Sequence, residues 1–245
     1  MKAIFKRDFS SYFTSTLGYI ILGLYLMLSG FFFWLICYLS SYNSLVDVIN
    51  SMLYVVFFLV PLITMRSFAE EKRQRTDQAL LTAPVKLWEV VCGKYLSALL
   101  LYVLCNMVYF LYALVLLITI PDITIAWGQI ILGWMGSILL GAALLAVNLF
   151  YSSLTEYQII AAVIGLGTGL FCMIYDSVLS ALQNFIYTLF NASYEFVVLD
   201  KISLMSHYNN LVSGVFNPAD IVFYLSFAGL FLFLTNRVLD KKRWA

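Results

Sequence analysis

The feature that most limits what this chain can fold into is a series of six long, nearly uncharged apolar runs. A helix needs about 20 mostly apolar residues to cross the ~30 Å hydrocarbon core of a bilayer. The runs are Leu17–Leu39, Val48–Met65, Tyr95–Ile118, Trp127–Phe150, Gln158–Leu179 and Ala219–Val238. The sequence therefore predicts an all-α, polytopic membrane protein whose six transmembrane helices form a single domain over residues 1–245.

Composition excludes both a water-soluble and a disordered chain. Hydrophobic residues make up 63% of the sequence and charged residues only 11%, whereas a soluble domain carries about 25% charged residues. Only Asp176, Asp220 and Arg237 carry charge within the runs, and each lies close to the end of its run. A charge at the centre of a span would cost roughly 2.5–3.5 kcal/mol, so these positions fit spans that end in water.

The basic residues predict an orientation. All but one of the 14 Lys and Arg residues lie before the first run, between the second and third runs, or at the C-terminal end, and Lys201 is the exception. Because cytoplasmic loops are enriched in Lys and Arg, both termini and residues 66–93 are expected in the cytoplasm.

Two flanking stretches are expected to be helical without spanning. In residues 1–16, apolar side chains recur every three or four positions between charged ones, which predicts an amphipathic helix in the membrane interface. The alternative is that these residues simply begin the first span. Residues 180–216 are of mixed polarity and are expected to form an outer loop with short helices.

Catalytic machinery is not visible in the sequence. A phosphate-binding loop requires G-x-x-x-x-G-K-[ST], but Gly93-Lys94 is followed by a tyrosine and lacks the earlier glycine. The four cysteines form no C-x-x-C pair, and the single histidine, His207, lies in the predicted outer loop. We therefore expect no enzyme activity, no metal site and no cofactor in this chain, and an intramembrane protease is disfavoured.

Stripes of small residues in the fourth and fifth runs predict close helix packing, with a permeation role as the alternative. Their members are Gly133, Ser137 and Gly141 in the fourth run and Gly165 and Gly169 in the fifth. In the second run, Pro61 is expected to act as a hinge because its ring removes a backbone hydrogen bond. No glycine or proline lies between Ile63 and Arg75, so the second span is expected to continue past the membrane as one rigid helix.

The charged segment 66–93 is the most informative stretch. Arg66/Glu70 and Glu71/Arg75 pair opposite charges at helical spacing, which favours a solvated helix. Thr76 is then expected to begin a short helix that Pro84 ends, because the residue before a proline avoids the helical region. This helix would expose Leu80 and Leu81, and exposed leucines on a charged projection predict docking to a protein partner. The alternative is a loop that folds back onto the bundle.

Three stretches of this chain resemble the permeases of ABC-2 type transporters, in particular those of the gliding-motility type. The stretches are Thr64–Lys72 with Thr76, Leu80–Val85 and Gly93-Lys94-Tyr95; Ser152–Gln158; and Asn217–Asp220. Tyr157 departs from the asparagine or serine expected at its position.

The resemblance implies the membrane subunit of an ATP-binding cassette exporter in a bacterial cytoplasmic (inner) membrane. Such a subunit pairs with a second permease half, identical or paralogous, and docks on a separate ABC ATPase that binds ATP and Mg²⁺. Residues 76–84 would be the coupling helix, the conserved glutamate of the family would map to Glu70 or Glu71, and Glu156 would lie in a second cytoplasmic loop. An auxiliary membrane-anchored subunit is compatible with this arrangement, and nucleic acid is not an expected partner.

A secondary transporter or channel that works without ATP is the competing hypothesis. Such proteins often carry charged residues at mid-membrane depth, where they bind ions. The six runs place no charge near their centres, and the docking helix would have no role. The sequence does not identify the cargo, although the uncharged spans favour a lipid, a hydrophobic peptide or a drug-like molecule over a bare ion.

Overall fold

The computed structural model describes residues 1–39, 44–76, 86–119, 126–190 and 203–244, and the regular elements in these parts are all helices. They are α1 (Lys2–Thr14), α2 (Thr16–Phe33, extended by a π-helical stretch Trp34–Leu39), α3 (Leu45–Thr64), α4 (Ala69–Arg73), α5 (Leu87–Asn106), α6 (Val108–Thr119), α7 (Trp127–Leu154), α8 (Gln158–Phe190), α9 (Leu204–Val212) and α10 (Pro218–Trp244). Within the described residues, six helical stretches are long and apolar enough to cross a membrane. The predicted all-α fold with six transmembrane helices is therefore confirmed.

The fifth span is longer than the sequence predicted. We expected it to end at Leu179, but α8 continues to Phe190, so the first part of the predicted outer loop extends this helix. Residues 180–190 contain neither glycine nor proline, which are the two residues that most strongly end a helix. Farther along the same loop, α9 is a short helix, and residues 191–202 lie outside the described residues.

The centre of the bundle is formed by α3 and α7. Val48, Met52 and Val60 of α3 and Leu145 of α7 are completely buried. The peripheral helices α2, α8 and α10 instead keep wide apolar faces exposed, with Met27 of α2 and Ile159 of α8 each 76% exposed. Exposed apolar surface of this extent is expected where hydrocarbon is the surrounding solvent.

The small residues of α7 and α8 lie where helices approach closely. A Cβ atom at Gly141 would overlap the ring of Tyr102, and one at Gly165 would overlap the side-chain oxygen of Asn148. At Gly169 a Cβ would lie 2.8 Å from Cδ1 of Phe57, whereas at Gly133 it would make an ordinary contact with Ile49 at 3.5 Å. Alanine at the first three positions would push the helices apart.

A neutral cluster of buried polar side chains ties α2, α5, α6 and α7 together. It consists of Tyr25, Tyr102, Asn106, Tyr109 and Ser137. The Tyr25 hydroxyl lies 2.8 Å from that of Tyr109 and donates to Asn106 Oδ1 at 3.2 Å, while Ser137 donates to the same oxygen at 3.1 Å. Asn106 also donates to the Tyr102 carbonyl at 2.9 Å. Such side-chain bonds compete with helical hydrogen bonds, and the cluster lies where Met107 separates α5 from α6.

Asp220 is the one buried carboxylate within a span among the described side chains. It lies in the first turn of α10 with 1% of its surface exposed, and its Oδ1 is 2.5 Å from Nδ1 of His207 on α9. The His207 ring stacks on Phe223 with ring centroids 4.2 Å apart. The histidine that the sequence placed in the outer loop therefore packs against the end of the sixth span.

The second span does not continue as one rigid helix, so that expectation was wrong. Helix α3 ends at Thr64, residues 65–68 form turns, and α4 begins at Ala69. Groups from other helices take the backbone bonds here: Phe68 N and Ala69 N donate to Ser152 Oγ at 3.1 and 3.2 Å, and Lys94 donates to the Ser67 carbonyl at 2.7 Å. Tertiary contacts thus satisfy backbone groups at the break.

Candidate functional site

The end of the bundle that carries α4 contains a cluster of charges around one buried lysine, which we call the charged junction. It consists of Arg7 and Asp8 of α1, Glu71 of α4 and Lys94 of α5. Lys94 is only 4% exposed, and its Nζ lies 2.8 Å from Glu71 Oε1 and 3.3 Å from Asp8 Oδ2. Arg7 completes the junction because its Nη2 lies 2.9 Å from the same Glu71 oxygen. Two cations and two carboxylates therefore join three helices.

The burial of Lys94 makes its partners indispensable. Removing one partner of a buried ion pair typically costs about 3–5 kcal/mol, because the remaining charge is left uncompensated. The Lys94 ammonium also lies 5.1 Å from the centre of the Phe68 ring, an attractive arrangement for a cation. Lys94 is therefore the side chain on which the junction depends most.

Helix α1 is held against the bundle by more than its charges. The Tyr12 hydroxyl donates to the Ile63 carbonyl at the end of α3 at 3.1 Å. Burial raises the pKa of Tyr12 to about 12, so this hydroxyl stays a neutral donor at ordinary pH. At Gly93 a Cβ would lie 3.2 Å from Ile4, so the missing side chain lets α1 approach α5. The position of α1 in the membrane interface stays a prediction.

On its other side, α4 is fastened to the end of α7. Ser152 accepts the two backbone bonds at the start of α4. The Lys72 ammonium donates to the Ser153 carbonyl, and Lys242 of α10 lies 3.4 Å from the same oxygen. Cations at a helix C-terminus are favoured by the helix dipole. The five residues of α4 thus contact both α5 and α7.

The two glutamates predicted to matter have different partners. Glu70 binds Arg66 with both oxygens, at 2.6 and 3.0 Å, so the pair predicted from the spacing is present. Glu71 does not pair with Arg75 as the spacing suggested. Helix α4 ends at Arg73, and the carboxylate of Glu71 is taken by Lys94 and Arg7.

The remaining predicted docking residues are only partly described. Thr76 donates to the Glu71 carbonyl at 3.2 Å, directly after Arg75, whose φ of 56° is left-handed. Glu156 is exposed in the turn between α7 and α8. The other three, Leu80, Leu81 and Pro84, lie outside the described residues, so the coupling helix stays a prediction.

A polar cleft of about 500 Å³ opens beside the junction, between α1, the end of α3 and α4. Arg7, Arg66 and Lys94 line it together with the carboxylates that neutralise them. Its balanced charge does not favour an anion over a cation. In the described parts of the chain, no group of three or more His, Cys, Asp or Glu side chains could hold a metal ion.

Sequence reasoning identified Glu70 and Glu71 but missed the residues that hold them. The residues that were missed are Lys94, Arg7, Asp8, Ser152 and Ser153. The pair Gly93-Lys94 could have indicated this site. It places a glycine, which allows another helix to approach closely, next to a cation at the start of an apolar run.

Comparison with protein families gives one match. The family is described as "ABC-2 family transporter protein", and the match covers residues 18–235. It includes Glu71, Lys94 and Ser152, whereas α1 with Arg7 and Asp8 lies outside the matched range. Comparison with curated proteins finds no match.

Proposed function

This chain belongs to the ABC-2 family of transporter proteins, a family of multi-pass membrane components, and from that premise we propose that it is the permease subunit of an ATP-binding cassette exporter. ATP and Mg²⁺ would bind to a separate ATPase chain, and the substrate path would lie between this chain and a second permease half. The excess of basic residues at the end bearing the charged junction supports placing that end, with both termini, in the cytoplasm of a bacterial cell.

The proposal rests on the anchoring of the segment between α4 and α5. Residues 77–85 connect Thr76 to Lys86, and the chain is fixed on both sides of them by one ion pair, Glu71 to Lys94. A force applied to this segment would therefore reach the membrane helices instead of being absorbed by a loose linker. This is the property that a coupling segment between an ATPase and a permease requires.

The path of that force differs from a simple lever. Because turns separate α3 from α4, a displacement of α4 would pass sideways, to α5 through Lys94 and to α7 through Ser152 and Ser153. Pro61 remains the expected bending point of α3. Glu156 lies exposed at the end of α7, where a second contact with the ATPase would complete the docking surface.

An ATP-independent transporter or channel is the second candidate. The break at residues 65–68 resembles the broken helices of such proteins. However, this break lies at the end of the bundle next to paired charges. The neutral cluster contains hydroxyls and an amide, so its described side chains supply no charge to bind an ion. Family membership favours the permease.

Co-purification of this chain with its proposed ABC ATPase partner, sought first among the products of neighbouring genes, tests the proposal. Replacing both docking leucines, Leu80→Asp and Leu81→Asp, should abolish association while leaving membrane insertion intact, because charge would destroy an apolar contact. The matched control, Leu80→Met with Leu81→Met, keeps the contact apolar and should still bind. Undiminished association of the aspartate variant would contradict the proposed docking helix.

A further inference from the structure

An apolar groove separates α8 from α10 on one face of the bundle. Both helices pack against α7, and the gap between them encloses about 250 Å³. Leu144 and Val147 of α7 form its floor. The walls are formed by Phe171 and Cys172 from α8 and by Phe227 and Phe231 from α10.

The walls of the groove offer dispersion contacts and few directional bonds. Phe227 and Phe231 lie with ring centroids 5.0 Å apart, so the α10 wall is a continuous aromatic surface. The Thr168 hydroxyl at the edge of the groove already donates to the Gly165 carbonyl at 2.7 Å. The Leu204 carbonyl, near one end, accepts from Tyr224 at 2.6 Å. A ligand that gains from such a surface is a hydrocarbon.

The surroundings of the groove determine which hydrocarbon is at hand. The three long helices that form it are candidate membrane spans, and other side chains on the two wall helices, such as Ile174 (58% exposed) and Leu230 (55%), form apolar surface that would face lipid. The volume is below the roughly 300–1,000 Å³ of sites that enclose drug-sized ligands. The groove therefore suits part of a flexible chain and is too small for a whole lipid or a bulky cargo.

We propose that this groove binds one acyl chain of a bilayer phospholipid. Left empty, its walls would lose dispersion contacts on one side. A chain inserted between Phe171 and Phe231 restores those contacts and joins α8 to α10. The site is independent of the charged junction, because none of the junction residues lines the groove.

Photo-crosslinking with a retained lipid tests the site. The full chain is reconstituted in phosphatidylethanolamine–phosphatidylglycerol vesicles containing a phospholipid with a diazirine on its acyl chain, then solubilised in detergent, washed, and only then irradiated. Washing removes bulk lipid, so the adducts mapped by mass spectrometry should be concentrated on Phe171, Phe227 and Phe231. Adducts spread evenly over the exposed faces of α2, α8 and α10 would overturn the proposal.

Variants that fill the groove sharpen the test. Val147→Trp, on the floor of the groove, should abolish the groove adducts. Cys172→Trp, on the half-buried wall, should abolish them too and replaces the first variant if Val147→Trp folds poorly. The control is Val163→Trp, because Val163 is 60% exposed on α8 away from the groove and should leave the adducts unchanged. Groove adducts that persist in both filled variants would overturn the proposal.

A second copy of the chain is the competing occupant of this face. Native Cys172 lines the groove, so a copy that packed the same face there in a two-fold contact would bring two Cys172 thiols together. Mass spectrometry of the oxidised, unsubstituted protein would then detect Cys172–Cys172 linked peptides, with the groove unlabelled by lipid. That outcome would replace the acyl chain by a protein contact.

Discussion

The charged junction and the neutral cluster both join several helices through polar side chains, but they use different chemistry. Lys94 in the junction is 4% exposed and Asn106 in the cluster is fully buried. The junction holds its helices by full charges at the end of the bundle, and the cluster holds them by hydroxyls and an amide within it. The difference reflects desolvation, because an ion costs far more than a hydroxyl to remove from water.

The charged junction and the neutral cluster are expected to have different mechanical roles. Arg7, the exposed member of the junction, can exchange its carboxylate partners for water or for a docking protein, so we expect the junction to rearrange during transport. The neutral cluster has no comparable exchange available inside a membrane and should stay fixed. It lies at Met107, so α5 would pivot there when Lys94 is displaced.

Replacing the central cation should have the largest effect on stability. Lys94→Met removes the buried partner of Glu71 and Asp8 but leaves both carboxylates paired with the exposed Arg7, so we expect a loss of about 3 kcal/mol, the lower end for a broken buried pair. Thermal unfolding of the purified protein in detergent measures this loss. Lys86→Met removes an exposed lysine at the start of α5 and should leave the midpoint unchanged. Equal unfolding midpoints for the two variants would show that the junction does not stabilise the protein.

Disrupting the neutral cluster should cost less. Asn106→Leu removes the oxygen that accepts from Tyr25 and Ser137, and hydrogen bonds between membrane helices contribute roughly 0.6–2 kcal/mol. The expected loss is about 1 kcal/mol, measured by the same unfolding experiment. Tyr112→Phe, which removes a half-buried hydroxyl bonded to Ser29 outside the cluster, is the comparison. If Asn106→Leu proved more destabilising than Lys94→Met, the ranking of the two regions would be reversed.

At ordinary pH the smallest effect is expected for the anchor of α1, because its contribution to stability changes only above about pH 10. Burial raises the pKa of Tyr12 to about 12, whereas an unfolded tyrosine titrates near 10. Between those values the unfolded chain releases a proton that the folded protein keeps, so the contribution of Tyr12 to stability is complete below pH 10 and falls as the pH rises towards 12. Tyr12→Phe should show a smaller loss of stability over this interval. Parallel pH profiles for the two proteins would contradict the buried anchor.

The architecture could be predicted from the sequence because run length and charge placement are local properties. The site could be predicted only in part. Spacing along the chain favoured Arg75 as the partner of Glu71, yet Lys94 and Arg7 approach it from other helices. The break after Thr64 is marked by no glycine or proline, and Ser152, which accepts backbone bonds there, lies far along the chain. Residues that are distant in sequence and that pair only after folding leave no periodic pattern to recognise.

In the proposed coupling, the junction transmits movement from the ATPase partner to α5, which pivots at the neutral cluster. The direct measurement is the distance between spin labels at Trp88→Cys on α5 and Ile118→Cys on α6, two exposed positions on either side of Met107. It is recorded in the complex with its ATPase, with and without ATP, and the unsubstituted chain gives the background from native cysteines. Coupling through the charged junction predicts that ATP changes this distance. It also predicts that adding Lys94→Met abolishes the change while the ATPase stays bound. An equal change with and without Lys94, or no change in either protein, would contradict it.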